Sequence, residues 1–128
     1  MSKNIEVLVL DDEAIVCERL KEFLEDKGLK VEVFTESARA VARLREKKFD
    51  VVVTDMKMPG PTGIDVLKFI KGEQPSTQSI VITGYGAIEN FRETEVLGAY
   101  EYVTKPFQLA NIYNLIVKAA KRAKKEQA

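Results

Sequence analysis

The chain has no histidine, one cysteine and no long apolar run, and each of these shortages excludes a class of protein. Without an imidazole, the protein cannot use a Ser-His-Asp triad, cannot build most kinds of zinc site and cannot carry a phosphohistidine. Because Cys17 has no partner for an internal disulfide, a reducing cytoplasm is the expected location. The missing apolar run excludes a membrane span, and the first residues lack the pattern of a signal peptide.

The bulk composition predicts one ordinary globular domain. A length of 128 residues leaves little room for two domains, and an apolar fraction of 45% is enough for one core. The 20 basic and 20 acidic residues balance, which argues against a nucleic-acid footprint across the whole surface. The Lys-rich and Ala-rich stretch near the end is expected to be solvated helix surface.

Short apolar runs that read as strands are spread along the whole chain. Three of them, Ile5–Leu10, Val51–Thr54 and Ser79–Ile82, are apolar on both faces, as buried parallel strands are. Lys30–Phe34 alternates more, as a strand nearer a sheet edge does, and Glu101–Thr104 is a short fifth candidate.

Amphipathic patterns between these strands predict helices. The predicted helices are Ala14–Lys27, Ser37–Lys47, Thr62–Lys71, Ala87–Leu97 and Phe107–Arg122. Gly28 fits a C-terminal cap of the first helix, and Thr62 and Asp65 have capping-box spacing at the start of the third. The helix over 87–97 has the weakest pattern, so we expect it to be the most mobile. Regular β-α alternation predicts a parallel sheet with helices on both faces.

The residues that directly follow the predicted strands have side chains that can bind ions or take part in a reaction. Asp11 and Asp12 follow the first strand, Asp55 the third, Thr83 the fourth and Lys105 the fifth. Ligands of an open parallel sheet bind beyond the carboxyl ends of its strands, where the strand order reverses. Three carboxylates, a hydroxyl and an ammonium are therefore expected to converge on one edge of the sheet.

This set of groups favours a hard cation and phosphoryl transfer. Clustered carboxylates with few other ligands are typical of Mg²⁺, with Mn²⁺ as a substitute, and the ion would relieve the repulsion between Asp11 and Asp12. A carboxylate beside the ion can attack a phosphoryl group to give an aspartyl phosphate. The ion, Lys105 and Thr83 would each neutralise one phosphoryl oxygen, and an ionised carboxylate needs no histidine base.

Four blocks in this order and spacing resemble the signature of the receiver domain of bacterial two-component response regulators. The blocks are VLVLDDE, VVVTDMKMPGPTG, VITGYG and EYVTKPF, and the resemblance covers essentially the whole chain. It implies a flavodoxin-like, doubly wound α/β fold, a three-layer sandwich of five parallel strands in the order 2-1-3-4-5 with five helices. The receiver domain would span residues 1–125, followed by a tail at 126–128.

The resemblance also implies a role for each matched position around the metal. Asp55 matches the phosphoacceptor, and Asp12 and Asp55 match the direct carboxylate ligands of Mg²⁺. Asp11 matches a ligand that acts through water, and Lys57 stands where the family lends a backbone carbonyl to the ion.

A second group of matched positions concerns the response to phosphorylation. Thr83 matches the switch hydroxyl and Lys105 the phosphate-binding lysine, and the bond between Lys105 and Pro106 is usually cis in the family. Tyr102 matches the switch aromatic, whose ring turns inward as Thr83 moves toward the phosphate.

The implied function is a phosphorylation-controlled switch rather than a turnover enzyme. The phosphoryl donor would be a sensor histidine kinase or a phosphotransfer protein. The changing surface, formed by the predicted fourth helix, fifth strand and fifth helix, would serve a homodimer or an output domain that is missing from this chain, unless the receiver stands alone. We expect a cytoplasmic protein without direct contact to nucleic acid or membrane.

Other interpretations of the same residues stay open at this point. A small aspartate-based phosphohydrolase would need a second Asp two residues after its nucleophile, where this chain has Lys57. A receiver-like interaction module could work without phosphorylation. A flavin or nucleotide binder would need a glycine-rich phosphate loop after the first strand, which this sequence lacks. Asp11 and Asp12 could also simply cap a helix, and Tyr102 could be an ordinary half-buried aromatic.

Overall fold

Five strands form one parallel sheet in the computed structural model, which describes residues 4–56, 63–84 and 98–127. The strands are β1 (Glu6–Leu10), β2 (Lys30–Phe34), β3 (Val51–Asp55), β4 (Gln78–Thr83) and β5 (Glu101–Thr104). Their spatial order is β2-β1-β3-β4-β5, and every neighbouring pair is parallel. The predicted strand order and the α/β fold class are therefore confirmed, and each predicted strand lies within one residue of its observed bounds.

Four helices lie in the described part of the chain. They are α1 (Ala14–Asp26), α2 (Ser37–Glu46), α3 (Gly63–Glu73) and α4 (Leu109–Gln127). The helix predicted over 87–97, and Thr62 of the predicted capping box, lie outside the described residues. The last helix continues five residues beyond the predicted end at Arg122. Lys and Ala favour the helix, Ala123 is fully buried, and Arg122 pairs with Glu126 at 2.9 Å one turn later.

The two faces of the sheet are both covered, as the continuous apolar runs predict. Val7 and Val9 pack with residues of α1 and α4, whereas Leu8 and Leu10 pack with residues of α2 and α3. All four side chains are fully buried. Because successive side chains of a strand point to opposite faces, only a strand buried on both sides can have this pattern. Because β1 lies between β2 and the central strand β3, its carboxyl end is flanked on both sides along the edge of the sheet.

The turn after α1 depends on Gly28, which has a φ of +92°. Its N–H bonds to the carbonyl of Glu25 at 2.9 Å, and the N–H of Leu29 bonds to the carbonyl of Leu24 at 3.1 Å. This pair of bonds is the Schellman arrangement, in which a left-handed residue ends a helix and glycine is favoured. The predicted C-terminal cap is confirmed, and it directs the chain into β2.

Cys17 is a buried residue of α1 with a thiol that is expected to be inert. Its exposed fraction is 2%, and Sγ lies 3.3 Å from the carbonyl oxygen of Asp11 and 3.5 Å from that of Phe34. Burial, and then the negative charge of Asp11, raise the pKa of the thiol to about 11. The reactive thiolate is therefore scarce at neutral pH.

We expect the folded protein to resist alkylation by iodoacetamide at mildly alkaline pH, because Cys17 is both protonated and shielded. The same reagent should label Cys17 readily in a denaturant, and intact mass follows both reactions. Labelling of the folded protein as fast as the denatured protein would contradict the burial of this side chain.

Candidate functional site

The carboxyl edge of the sheet brings two acidic residues together at its centre. Asp55 is the last residue of β3, and Asp11 directly follows β1. These neighbouring strands are paired in register, with Leu10 opposite Thr54, so the two aspartates leave the sheet at the same level. After β1 the chain forms β2, which pairs with one flank of β1, and then β3, which pairs with the opposite flank. A strand order that reverses in this way opens a crevice in which such sheets bind ligands.

Three carboxylates form a cluster in this crevice. Asp11, Asp12 and Asp55 each place one oxygen so that the three atoms lie within 4.8 Å of one another. Asp11 is fully buried and Asp55 nearly so, whereas Asp12 is exposed. The structure thus brings together the three carboxylates that the sequence predicts at this edge. Lys57, whose backbone carbonyl is a predicted ligand, lies outside the described residues.

One oxygen of Asp11 has the character of a metal ligand. The Oδ1 atom accepts a hydrogen bond from the Glu13 N–H at 2.9 Å, but the buried Oδ2 atom has no hydrogen-bond partner among the described residues. Lys105 Nζ is 3.0 Å from Oδ2 and supplies charge there without hydrogen-bond geometry. Burial of this carboxylate oxygen without a hydrogen bond is costly; the charge of Lys105 offsets part of that cost, and a metal ion beside the oxygen would offset more of it. An all-oxygen donor set of this kind fits Mg²⁺.

The charge of Asp11 is disfavoured in the folded protein as it stands. Burial raises the pKa of this carboxyl above its ordinary value, and the nearby charge of Asp55 raises it further. The hydrogen bond from Glu13 and the contact with Lys105 oppose this shift without cancelling it. Any added positive charge would favour the ionised form, so the electrostatics of the cluster are those of a site that attracts cations.

Lys105 is the cation that links the carboxylates. Its Nζ atom lies 3.0 Å from Asp11 Oδ2, 3.0 Å from Glu13 Oε1 and 3.3 Å from Asp55 Oδ2. Burial alone would lower the pKa of Lys105, but the contacts with these carboxylates outweigh burial and raise the pKa. The side chain therefore stays charged. Its backbone N–H bonds to the Thr83 carbonyl at 2.7 Å, which aligns the end of β5 with β4.

Pro106 follows Lys105 through a cis peptide bond, as the sequence resemblance implies.

Glu13 is a member of this site to which the sequence blocks give no role. Its position as the third carboxylate of VLVLDDE is the signal that points to it. The contact itself joins residues that are 92 positions apart, so a local pattern does not reveal it.

Thr83 and Tyr102 lie on the same face of the sheet. Thr83 ends β4, is 2% exposed, and donates a long hydrogen bond of 3.4 Å to the carbonyl of Gly84. Val81 lies two residues before Thr83 on β4, so both side chains point to the same face of the sheet. Tyr102 of β5 is paired with Val81 and therefore lies on this face as well. The half-buried ring of Tyr102 packs on a cluster that includes Val81 and Leu67. The predicted switch pair is therefore arranged along one surface that leads away from the carboxylates.

A groove of about 780 Å³ adjoins the site next to α1. Val16 and Arg19 of α1 form one wall, and the segment from Lys105 to Leu109 forms the other. Beside Val16, Ile15 is 55% exposed, and among the described residues it is the large apolar side chain that stands out in solvent.

Residues 7–117 match the family model of the response regulator receiver domain. The chain is a member of this family. Receiver domains belong to two-component systems, in which they work with sensor histidine kinases, and phosphorylation and Mg²⁺ are typical of them. The family and the class of function that the four sequence blocks predict are therefore confirmed.

Similar curated proteins are bacterial transcriptional regulators. The receiver is 33% identical to the transcriptional regulatory protein ZraR of Escherichia coli K12 over 116 residues, which cover 91% of this chain and 26% of ZraR. It is 32% identical to the response regulator PilR of Pseudomonas aeruginosa, with 88% of this chain and 25% of PilR covered. The receiver thus spans about a quarter of the length of these relatives.

Solved structures of receiver domains have the same fold. A receiver domain protein from Clostridium thermocellum is 34% identical, with a TM-score of 0.88, and the match covers 94% of this chain and 97% of that one. The beryllofluoride-activated NtrC4 receiver domain dimer is 32% identical, with a TM-score of 0.86 and coverage of 92% and 98%. Within the described ranges of this receiver, no helix combines the length and apolar character that crossing a membrane requires.

Proposed function

We propose that this receiver accepts one phosphoryl group on Asp55, with Mg²⁺ held by Asp11, Asp12, Asp55 and the backbone carbonyl of Lys57. The observation that carries the proposal is the cluster of three carboxylate oxygens within 4.8 Å of one another, with the Lys105 ammonium 3.3 Å from Asp55. When bound, the ion would neutralise charge on the phosphoryl oxygens and on the carboxylates, and Mn²⁺ would substitute for it.

The chemical step is an in-line displacement at phosphorus. An ionised oxygen of Asp55 forms the new O–P bond, and the bond from phosphorus to the donor nitrogen or oxygen breaks, with its electron pair leaving on the donor. The ammonium of Lys105 neutralises one phosphoryl oxygen, and the hydroxyl of Thr83 donates a hydrogen bond to another. The partial burial of Lys105, which is 21% exposed, strengthens its electrostatic effect.

The response to phosphorylation would begin at Thr83. An added phosphoryl group brings extra negative charge and acceptor oxygens, which would draw the Thr83 hydroxyl away from Gly84. Because Tyr102 lies on the same face, its ring would follow into the vacated space and alter the surface of β5. A local electrostatic change would thus bias a two-state element. We propose that this surface serves a homodimer or an output domain.

The donor would be a sensor histidine kinase or a phosphotransfer protein, and we place its contact on the groove beside Ile15. A partner that covers Ile15 and the adjoining Val16 would also reach Lys105, because Val16 and Lys105 line the same groove. In this proposal the receiver modifies only itself and turns over no separate substrate. A phosphohydrolase is disfavoured further because Lys57 stands where its general acid would be.

An Ile15→Ser variant is expected to receive phosphoryl groups from its kinase about tenfold more slowly, because it loses the burial of one apolar side chain. Its reaction with acetyl phosphate should be unchanged, since that donor needs no docking surface. The rate is measured with the kinase that phosphorylates the wild type fastest in a screen of purified kinases. Arg39→Ser on α2 is the control, and equal rates for both variants would exclude this docking face.

The proposed function is tested by intact mass after incubation with acetyl phosphate, in Mg²⁺ and in EDTA. We expect one added phosphoryl group in Mg²⁺ and none in EDTA. A gain that does not depend on the metal would contradict the role of the carboxylate cluster. If no gain is seen, binding of beryllofluoride separates a short-lived phosphoryl group from a receiver that does not use phosphorylation: binding retains the proposal, and its absence ends it.

A further inference from the structure

Glu13 makes a close contact with the phosphate-binding lysine that the proposed chemistry does not use. Its Oε1 atom accepts a hydrogen bond from Lys105 Nζ at 3.0 Å, which is shorter than the 3.3 Å between Lys105 and Asp55. Glu13 is the most exposed of the three carboxylates around this ammonium, with 58% against 10% for Asp55 and 0% for Asp11.

The side chain of Glu13 is not needed for the helix that it begins. Glu13 occupies the N-cap position of α1, and its carbonyl accepts hydrogen bonds from the N–H groups of Val16 and Cys17. Its carboxylate makes no capping bond, although N-cap side chains commonly do so. The Asp11 carboxylate bonds to the Glu13 N–H instead. The contact with Lys105 is therefore a separate use of this side chain.

The ammonium of Lys105 donates hydrogen bonds to Glu13 and Asp55, and the Asp11 carboxylate lies 3.0 Å away without hydrogen-bond geometry. A phosphoryl oxygen on Asp55 would compete with these carboxylates for the ammonium. Glu13 is the one that gives way at least cost, because its carboxylate is already largely hydrated and regains water easily. The buried carboxylate of Asp11 has no such alternative.

We propose that Glu13 is a positioning residue that holds Lys105 in the resting state and competes for it with the phosphoryl group. This role rests on the proposed phosphoacceptor function. Because the competition must be overcome in the phosphorylated state, Glu13 weakens the binding of a phosphoryl group and of its analogues. The residue thereby sets how strongly a given amount of phosphodonor switches the receiver.

The test is a titration with beryllofluoride, a phosphoryl analogue, at saturating Mg²⁺. Glu13→Gln removes the charge, whereas Glu13→Asp keeps the charge but shortens the side chain so that it no longer reaches Lys105. We expect both variants to bind the analogue about threefold to tenfold more tightly than the wild type. Glu18→Gln, an exposed charge change on the same helix, should stay within about twofold. If only Glu13→Gln binds more tightly, the effect is one of net charge, and the proposed competition is wrong.

A second measurement does not depend on a loaded site. The mobility of the Lys105 ε-methylene is followed by ¹³C relaxation in the metal-free protein. Both Glu13 variants should make this group more mobile, and Glu18→Gln should not. Equal mobility in the wild type and Glu13→Asp would overturn the inference. A wild type that binds no beryllofluoride would instead end the phosphoacceptor proposal, and the relaxation data would still report on the contact of Glu13.

Discussion

An Asp55→Asn variant is expected to accept phosphoryl groups from acetyl phosphate at least about 1000-fold more slowly than the wild type. An amide oxygen is a poor nucleophile, and the substitution also removes one ionic ligand of the proposed metal. The measurement is the rate of phosphoryl gain by intact mass at saturating Mg²⁺. Acceptance within about tenfold of the wild type would mean that another carboxylate takes the phosphoryl group.

Loss of the fold would not explain this result. An asparagine at position 55 can still accept a hydrogen bond from Lys105, and Asp11 and Glu13 continue to hold that ammonium. Asp50→Asn is the matched control at the other end of the same strand. Asp50 is also only 7% exposed, and its carboxylate accepts the Glu6 N–H at 2.9 Å, which an amide oxygen can replace. This control should be phosphorylated like the wild type.

A Lys105→Met variant is expected to lose about 2–3 kcal/mol of unfolding free energy in the absence of metal. Methionine keeps an unbranched side chain, but it leaves three carboxylates without the cation that contacts all of them. Phosphorylation by acetyl phosphate should also fall by about 100-fold, because one donor to the transferring group is lost. Urea denaturation in EDTA measures the first effect, and intact mass measures the second.

Metal should rescue the stability of this variant in part. Because Mg²⁺ places positive charge in the same cluster, it should stabilise the Lys105→Met variant more than it stabilises the wild type. Lys47→Met is the control, since Lys47 pairs with the single carboxylate of Glu6 at 2.9 Å and is 32% exposed. The Lys47→Met substitution should lower the free energy of unfolding by no more than about 1 kcal/mol. A Lys105→Met variant as stable as the wild type in EDTA would show that Lys105 does not neutralise the cluster.

The fold of this receiver is largely predictable from its sequence because the physical signals are local. The run at Ile5–Leu10 is apolar on both faces since β1 is covered on both sides, and Gly28 marks a helix end because only a left-handed residue fits there. The end of α4 was the least predictable boundary. Polar residues after Arg122 weaken the amphipathic pattern, but the buried Ala123 and the pair of Arg122 with Glu126 extend the helix.

The site is predictable only in part. Alternation of strands and helices predicts that Asp11 and Asp55 lie at the same edge of a parallel sheet, but their contact also requires that β1 and β3 are neighbours. The strand order itself came from the family resemblance, since alternation of strands and helices does not determine it. Glu13 could not be assigned from the sequence, because its contact with Lys105 depends on a side-chain rotamer and on a chain that returns 92 residues later.

The most direct test of Asp55 as the phosphoacceptor is chemical identification of the phosphorylated residue. Borohydride reduces an acyl phosphate to an alcohol, so an aspartyl phosphate becomes homoserine at the acceptor position. After reaction with acetyl phosphate in Mg²⁺, reduction and peptide mapping should find homoserine at position 55 and at no other aspartate. Homoserine at Asp11 or Asp12, or its presence at position 55 in protein treated with EDTA, would contradict a metal-dependent acceptor at the end of β3.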